Sequence, residues 1–314
     1  MDIINRSDAT ALIPEDSVNE IIQVATQNSV VMRLGRRVRD MASSETKVPV
    51  LETLPTAYFV GRDTGRIPTT KVEWGNKEFV AEKIAAIVPV PRDTLQDSAV
   101  PIWDQVRPLL GQAIGQVFDM AVLFGTNAPA SWPDDLLTAA TAASHTVDYS
   151  NAQGSQKDIY DVLLGEGGVA SLVEQDGFAV TGWIADLSVK AKLRGLRGGD
   201  GHPVFVADPQ SPTRYVLDGE PVAFAENGSV DPQKALVFAG DFRQLLWTLR
   251  RDMEWKLLEE AVIEDLAGNI VYNFATQDMV GLRVTMRLAW QVPNPVTPAN
   301  QDAVTRFPFA VLVP

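Results

Sequence analysis

The sequence predicts an α+β fold, and three observations support that prediction. A segment rich in β-branched and aromatic residues extends from Val48 to Pro91. A continuous apolar stripe at helical spacing follows over residues 99 to 124. The second half then mixes short helical patterns with short strands that are broken by Gly, Pro and Asp. Together these patterns indicate a long ribbon and a long helix joined to a compact mixed unit.

The composition excludes several classes of protein. A chain of 314 residues that is 46% hydrophobic can bury one large domain or two modest ones. Its net charge of −13 disfavours specific nucleic-acid recognition. The absence of cysteine excludes disulfides, thiolate zinc sites and thiol nucleophiles. The sequence shows neither a signal peptide nor an apolar run long enough for a transmembrane helix, so we expect no membrane contact.

Residues 1–47 are predicted to form an N-terminal arm. Asp16 and Ser17 can cap a helix whose apolar positions continue to Val31. Four arginines then follow within seven residues: Arg33, Arg36, Arg37 and Arg39. Two interpretations stay open, since these cations can pair with acidic groups of their own chain or dock an acidic neighbour or nearby nucleic acid.

Residues 48–91 are predicted to form a long two-stranded ribbon. Strands at Val48–Leu51 and Ala57–Gly61 lead to a polar tip over residues 62–71, and the chain returns from Phe79 to Val90. A two-stranded hairpin is only marginally stable alone, so its apolar side chains require another surface. That surface belongs either to another molecule or to the chain's own domain.

The helix over residues 99–124 is predicted to be a spine about 39 Å long. We expect Asp97 and Ser98 to cap it and Gly125 to end it. Pro108 is expected to bend it, and Gly111 and Gly115 to permit close approach by another element. One buried face is expected to include these pairs and single residues: Ile102 and Trp103, Val106, Leu109 and Leu110, Ala113 and Ile114, Val117 and Phe118, Ala121 and Val122, and Phe124.

The second half is predicted to contain helices over residues 157–176 and 186–197, with a buried strand at Phe178–Ile184 between them. Short strands follow over residues 203–205, 214–224 and 235–242. Strict alternation of apolar and polar residues over Val280–Trp290 indicates a half-buried strand.

Catalytic and metal-binding constellations have little support. His145 and His202 lack partners at ligand spacing, and both are interpreted as loop histidines with satisfied hydrogen bonds. The glycine-rich strings at 165–168 and 198–201 lack the strand-to-helix context of a phosphate site. We therefore expect no catalytic residues, no cofactor and no metal.

Taken in order, the segments resemble the major capsid proteins of tailed double-stranded-DNA bacteriophages, which share the Hong Kong 97 capsid fold. Strings similar to that family are the hairpin Ala57–Ile87, the turn Arg92–Ser98, the helix ending Phe118–Gly125, Trp183–Asp186, Leu217–Val222, Ala239–Phe242, Gln277–Trp290 and Phe307–Leu312. The shared order of these strings, rather than any one of them, carries the resemblance.

The resemblance implies a division of the chain. It comprises an arm (1–47), an extension hairpin or E-loop (48–93), a peripheral domain with the spine helix (94–156), an axial domain (157–244), peripheral return strands (245–298) and a terminal strand on the axial domain (299–314). It also implies self-assembly into pentamers and hexamers of an icosahedral shell, formed in the bacterial cytoplasm and located in the virion. Portal, scaffolding and decoration proteins are implied partners, and packaged DNA would lie nearby without specific contact. An encapsulin-type compartment and a soluble enzyme with a long lid hairpin are the alternatives.

The residues expected at contacts between subunits lie in the arm and the ribbon. They are Arg33, Arg36, Arg37, Arg39, Tyr58, Phe59, Arg62, Asp63, Arg66, Lys71, Glu73, Trp74, Lys77 and Glu78. Some relatives crosslink subunits through a Lys–Asn bond, but nothing near Lys71, Lys77 or Lys83 indicates an acid catalyst, so we expect no crosslink. Because the arm starts almost at once, we also expect no N-terminal processing.

Overall fold

A computed structural model describes residues 29–60, 69–97, 102–150, 158–196, 205, 215–265 and 267–314. The strands, in chain order, are β1 (Arg36–Arg37), β2 (Glu45–Thr53), β3 (Glu73–Val80), β4 (Glu82–Pro91), β5 (Thr146–Asp148), β6 (Gly182–Asp186), β7 (Val216–Leu217), β8 (Glu220–Ala225), β9 (Val237–Gly240), β10 (Leu246–Leu258), β11 (Val262–Glu264), β12 (Ile270–Asn273), β13 (Met279–Gln291) and β14 (Phe309–Val313). The helices are α1 (Val30–Leu34), α2 (Arg92–Asp97), α3 (Ile102–Phe124), α4 (Leu136–Ala142), α5 (Ile159–Leu164), α6 (Val169–Gln175), α7 (Leu187–Gly195) and α8 (Phe274–Gln277), with a 3₁₀ turn at Phe242–Gln244. Most of the arm helix predicted from Asp16 onward lies outside the described residues, and its last two apolar positions, Val30 and Val31, open the short helix α1 that Ser29 caps.

A four-stranded sheet in the order β1-β10-β13-β4 supports the spine helix α3. The alternation predicted for residues 280–290 is confirmed in β13, where Val284 and Leu288 are buried in the same core as Ile114 and Phe118 of α3. Successive side chains of a strand point to opposite faces of the sheet. The spine helix α3 covers one face of this sheet and does not cover the other.

The spine helix ends where the sequence predicts, because Gly125 adopts a positive φ of 64° that most residues avoid. Pro108 lies inside the helix, and Gly111 and Gly115 are buried. The prediction that Asp97 caps α3 is wrong, since Asp97 is the last residue of the separate helix α2.

A six-stranded sheet in the order β5-β14-β9-β6-β8-β7 forms the second unit. The helix predicted over 157–176 is divided into α5 and α6, because the chain turns at Gly165–Gly168 and Gly167 has a positive φ. The strand predicted at Phe178–Ile184 begins only at Gly182. Of the short strands predicted next, 214–224 is a hairpin of β7 and β8.

The predicted ribbon is correct at its base and wrong beyond it. Strands β2 and β3 pair antiparallel, but residues 54–60 have no regular structure, so the strand predicted at Ala57–Gly61 is not formed over its described part. From Glu82 the chain leaves the ribbon and pairs with β13, because Ile84, Ala86 and Val88 pack against the core beside the spine helix. The alternative that the ribbon folds back on its own domain therefore holds for β4 and for the base of the ribbon, where Phe79 of β3 is buried with Leu246 and Ala289 of the four-stranded sheet.

Candidate subunit interface

The ribbon presents large apolar side chains to solvent. Trp74 on β3 is 67% exposed, Tyr58 is 58% exposed, and Phe59 is fully exposed. Val60 and Val72 are also exposed. Aromatic side chains left bare in this way are typical of a surface that another molecule covers.

Opposite charges alternate along the ribbon strands. Lys47 and Glu78 form an ion pair of 2.7 Å between β2 and β3, and this hydrogen bond raises the pKa of Lys47. Lys71 pairs with Glu73, which lowers the pKa of Glu73. Lys77 is exposed on β3 as well. Exposed ion pairs of this kind add little to the stability of the fold. Their main effect is to give the ribbon a surface of alternating charge.

The four predicted arginines lie together on one exposed segment. Arg33 is in the last turn of α1, Arg36 and Arg37 form β1, and Arg39 follows. Arg37 donates to Asp40 over 2.9 Å and its guanidinium lies 5.6 Å from the ring centre of Trp247. Within the described part of the chain, Arg33, Arg36 and Arg39 form no ion pair. Among the described residues, pairing within the chain therefore accounts for one of the four cations.

The spine helix carries a second apolar face that the sequence analysis assigned to the core. Leu109 is 63% exposed and Val117 44% exposed, and Ala113 between them is also exposed. These residues are four positions apart and form one line on the helix, which we call the spine ridge. The prediction that Leu109, Ala113 and Val117 are buried is wrong within the single chain, because the broad stripe contains two lines and only one faces the sheet.

A buried carboxylate of the spine helix anchors the start of the described chain. Asp119 accepts hydrogen bonds from the hydroxyl of Ser29 at 2.6 Å and from the backbone N–H groups of Val30 at 3.0 Å and Val31 at 3.2 Å. The side-chain amide of Asn227 donates to it over 3.0 Å. Asp119 thus joins α1, the spine helix and the loop after β8.

Burial raises the pKa of Asp119 to about 6, although its four donors act in the opposite direction. The sequence analysis missed this residue. Its one signal was an acidic side chain inside the apolar run Phe118 to Leu123, at a position that a helix would bury.

A second buried polar cluster holds the segment that leads to β14. Asp176 accepts hydrogen bonds from the backbone N–H of Phe307 at 2.7 Å and from the side-chain amide of Asn300 at 2.7 Å. Nε2 of His145 lies 3.3 Å from the same carboxylate, and its Nδ1 lies 3.2 Å from the carbonyl oxygen of Phe309. The prediction of a satisfied histidine is thus confirmed for His145, whereas His202 lies outside the described residues.

The remaining predicted contact residues, Arg62, Asp63 and Arg66, also lie outside the described residues. Among the His, Asp and Glu side chains that the structure does describe, no group of three could hold a metal ion. No described helix combines the length and apolarity that crossing a membrane requires.

Comparison with known proteins identifies the family. The model of the phage capsid family matches residues 9–296. The chain belongs to the phage capsid family. A curated relative of this capsid protein, the major capsid protein of Staphylococcus phage 80alpha, is 25% identical over 283 residues, which cover 87% of this chain and 79% of the relative.

Solved structures agree with the capsid fold. A chain from Microbacterium phage Oxtober96 is 37% identical, with a TM-score of 0.76 over 100% of both chains. One from Mycobacterium phage Adephagia is 30% identical, with a TM-score of 0.77 over 100% of this chain and 98% of the other. The expected Hong Kong 97-type α+β fold is confirmed, and so is the function: the molecule is a major capsid protein of a tailed phage, located in the virion.

Proposed function

We propose that the exposed ribbon of one capsid subunit lies across the spine ridge of the next, and that this contact closes an icosahedral shell of pentamers and hexamers. The observation that carries the proposal is that one chain exposes two separate apolar surfaces, the ribbon aromatics and the spine ridge. Because the two surfaces differ, their contact is heterologous and generates rings when the rotation closes.

The ribbon is suited to contacts that repeat at slightly different angles. Residues 54–60 and 69–72 carry no regular structure, so no strand pairing fixes the direction of these two described parts of the ribbon. Pentamers and hexamers present neighbours at different angles, and an adjustable ribbon makes the same contact in both. Each contact can be weak, because many act together in a closed shell.

The finer assignments belong to the same proposal. The proposal includes the division into arm, E-loop, peripheral domain and axial domain. It also includes the contact roles of the arm arginines and ribbon residues, which are supported by the exposure of those that lie in the described part of the chain. We infer a structural role without catalysis, in a shell that assembles in the bacterial cytoplasm. Portal, scaffolding and decoration proteins complete it, and the acidic subunit encloses DNA by proximity alone.

The test replaces the ribbon aromatics and measures particle formation. Wild-type subunits should form megadalton particles by light scattering and closed shells by electron microscopy, whereas Phe59→Ser with Trp74→Ser should leave small oligomers. Tyr160→Ser is the matched control, because Tyr160 is an aromatic residue on α5 that is 38% exposed. A wild-type protein that never assembles, or a ribbon variant that forms normal shells, would contradict the proposal.

A further inference from the structure

The face of the four-stranded sheet that points away from the spine helix is strongly cationic. Register places Arg251, Arg287 and Lys83 side by side across β10, β13 and β4. Two positions further along the same face, beyond the pair of Glu254 and Thr285, Lys256 lies beside Arg283. Lys83, Arg251 and Lys256 are exposed and the two β13 arginines are half-buried. Five cations on one face are unexpected in a chain whose net charge is −13. We call this surface the cationic face.

Like charges directly opposite each other weaken a sheet. The chain compensates in part, since Arg251 pairs with Glu254 at 3.1 Å and Arg287 donates to the carbonyl oxygen of Ala81 at 2.9 Å. In the described part of the structure, Lys83, Lys256 and Arg283 form no ion pair. Within the described residues, the cationic face therefore carries positive charges without an ion-pair partner, and an anionic partner could pair with them. Ile87 and Ala85 on β4 add an exposed apolar strip to it.

The complementary surface lies at the β11–β12 hairpin of the same sequence. Residues 257–282 contain five acidic residues and no Lys or Arg. Glu259, Glu260 and Glu264 of this segment are exposed. The hairpin also exposes apolar side chains, with Ile270 at 63% and Val262 at 51%. These strands pair only with each other among the described sheets, so the hairpin is an isolated two-stranded unit that needs an external surface.

We propose that the cationic face of one copy receives the acidic β11–β12 hairpin of a second copy. Both surfaces combine charge with apolar area, and their charges are of opposite sign. The chain's own hairpin does not fill this role, since its glutamates and apolar residues remain exposed. A protein partner is favoured over nucleic acid, because the net charge of −13 repels phosphate while the hairpin supplies anions together with apolar contacts.

This contact rests on the proposed shell and adds to it a second heterologous interface, independent of the ribbon. Electrostatic contacts of this kind fix register and exclude wrong partners, and they weaken as salt screens them. The cationic face thus selects which edge of a neighbour a subunit accepts.

The test reverses each charge set and then both together. Lys83→Glu with Lys256→Glu alters the cationic face, and Glu259→Lys with Glu264→Lys alters the hairpin. Each pair should lower shell yield more than about tenfold in 0.15 M salt, because like charges then meet. The combined four-residue variant restores attraction and should recover the yield. The control variant, Glu174→Lys with Glu226→Lys, makes the same charge change as the hairpin variant at exposed sites elsewhere and should assemble normally.

The outcomes separate this contact from the shell itself. Wild-type shells together with normal assembly of the single-surface variants, or no recovery in the combined variant, would overturn the contact and leave the shell proposal standing. A face variant that forms normal shells but loses bound DNA would also overturn it, since the cationic face would then bind nucleic acid. If wild-type subunits form no particles, the shell proposal fails. Mixing the face variant with the hairpin variant in solution then still tests the contact between the cationic face and the hairpin. A complex between the two variants supports this contact, and the absence of a complex overturns it.

Discussion

The hydroxyl of Ser29 and the carboxylate of Asp119 are joined by a buried hydrogen bond of 2.6 Å across ninety positions of sequence. Ser29 is also the N-cap of α1, where its oxygen accepts from the backbone N–H of Met32. One hydroxyl therefore starts the short helix and fastens it to the spine. The arginine segment that follows α1 begins from a fixed point on the subunit.

Asp119→Asn tests the ionisation of this anchor. The folded pKa of about 6 lies above the unfolded value of 3.8, so the folded state binds the extra proton between these values. The unfolding free energy of the wild type, relative to that of the variant, should therefore fall by about 3 kcal/mol as the pH rises from about 4 to above 6. Above that pH the difference should stay level. Urea unfolding of dissociated subunits across this pH range measures the difference. A constant difference from pH 4 to 7 would contradict the raised pKa.

Leu109 and Leu110 provide an adjacent pair with opposite expected effects. Leu110 is buried, so Leu110→Ala should lower the unfolding free energy of the subunit by about 2–5 kcal/mol. Leu109 belongs to the spine ridge, so Leu109→Ala should change subunit stability by less than about 0.5 kcal/mol yet reduce shell yield. Denaturation of subunits and sedimentation of particles separate the two. Equal effects of the two substitutions on stability would show that the ridge is not exposed.

Asp176→Ala should release the segment that carries β14. The substitution leaves His145 and the backbone N–H of Phe307 without their buried acceptor, at a cost of about 1–3 kcal/mol for each unsatisfied group. Hydrogen exchange should accelerate in Phe309–Val313 and less in β13. Asp302→Ala, an exposed acid in the same segment, is the control, and equal exchange in both variants would refute the anchoring role.

Arg36→Glu with Arg37→Glu tests the arginine segment as a docking strip. Reversed charge should repel the acidic surface of a neighbour and lower the yield of shells or their DNA content. Sucrose-gradient sedimentation and absorbance ratios measure both quantities. Arg243→Glu is the matched control, because Arg243 is an exposed arginine with an acidic neighbour at Asp241. Normal shells with normal DNA would exclude both docking roles.

The sequence predicted the elements whose signals are local. The alternation of Leu282 to Trp290 identified β13, and Gly125 marked the end of the spine, because a period of two and a positive-φ glycine need no knowledge of distant residues. The same reliance on local patterns made the predicted ribbon too long, because it included the residues that form β4 of the four-stranded sheet. Residues 79–90 form one continuous extended pattern, and Ala81 alone separates the ribbon strand from the sheet strand.

Features that depend on distant or external partners were beyond the sequence. Asp119 acquires its role from Ser29 and Asn227, which lie 90 and 108 positions away. Leu109 and Leu110 are equally apolar, and only the placement of the sheet shows which one the chain covers itself. Helical spacing identifies an apolar stripe without stating which molecule buries it.

The position of β14 has a consequence for the order of events in the cell. Strand β14 (Phe309–Val313) follows the other five strands of the six-stranded sheet in the chain, yet it lies between β5 and β9 inside that sheet. The ribosome must therefore release nearly the whole chain before that sheet can close. We therefore expect a nascent capsid chain to lack a complete six-stranded sheet until β14 has left the ribosome.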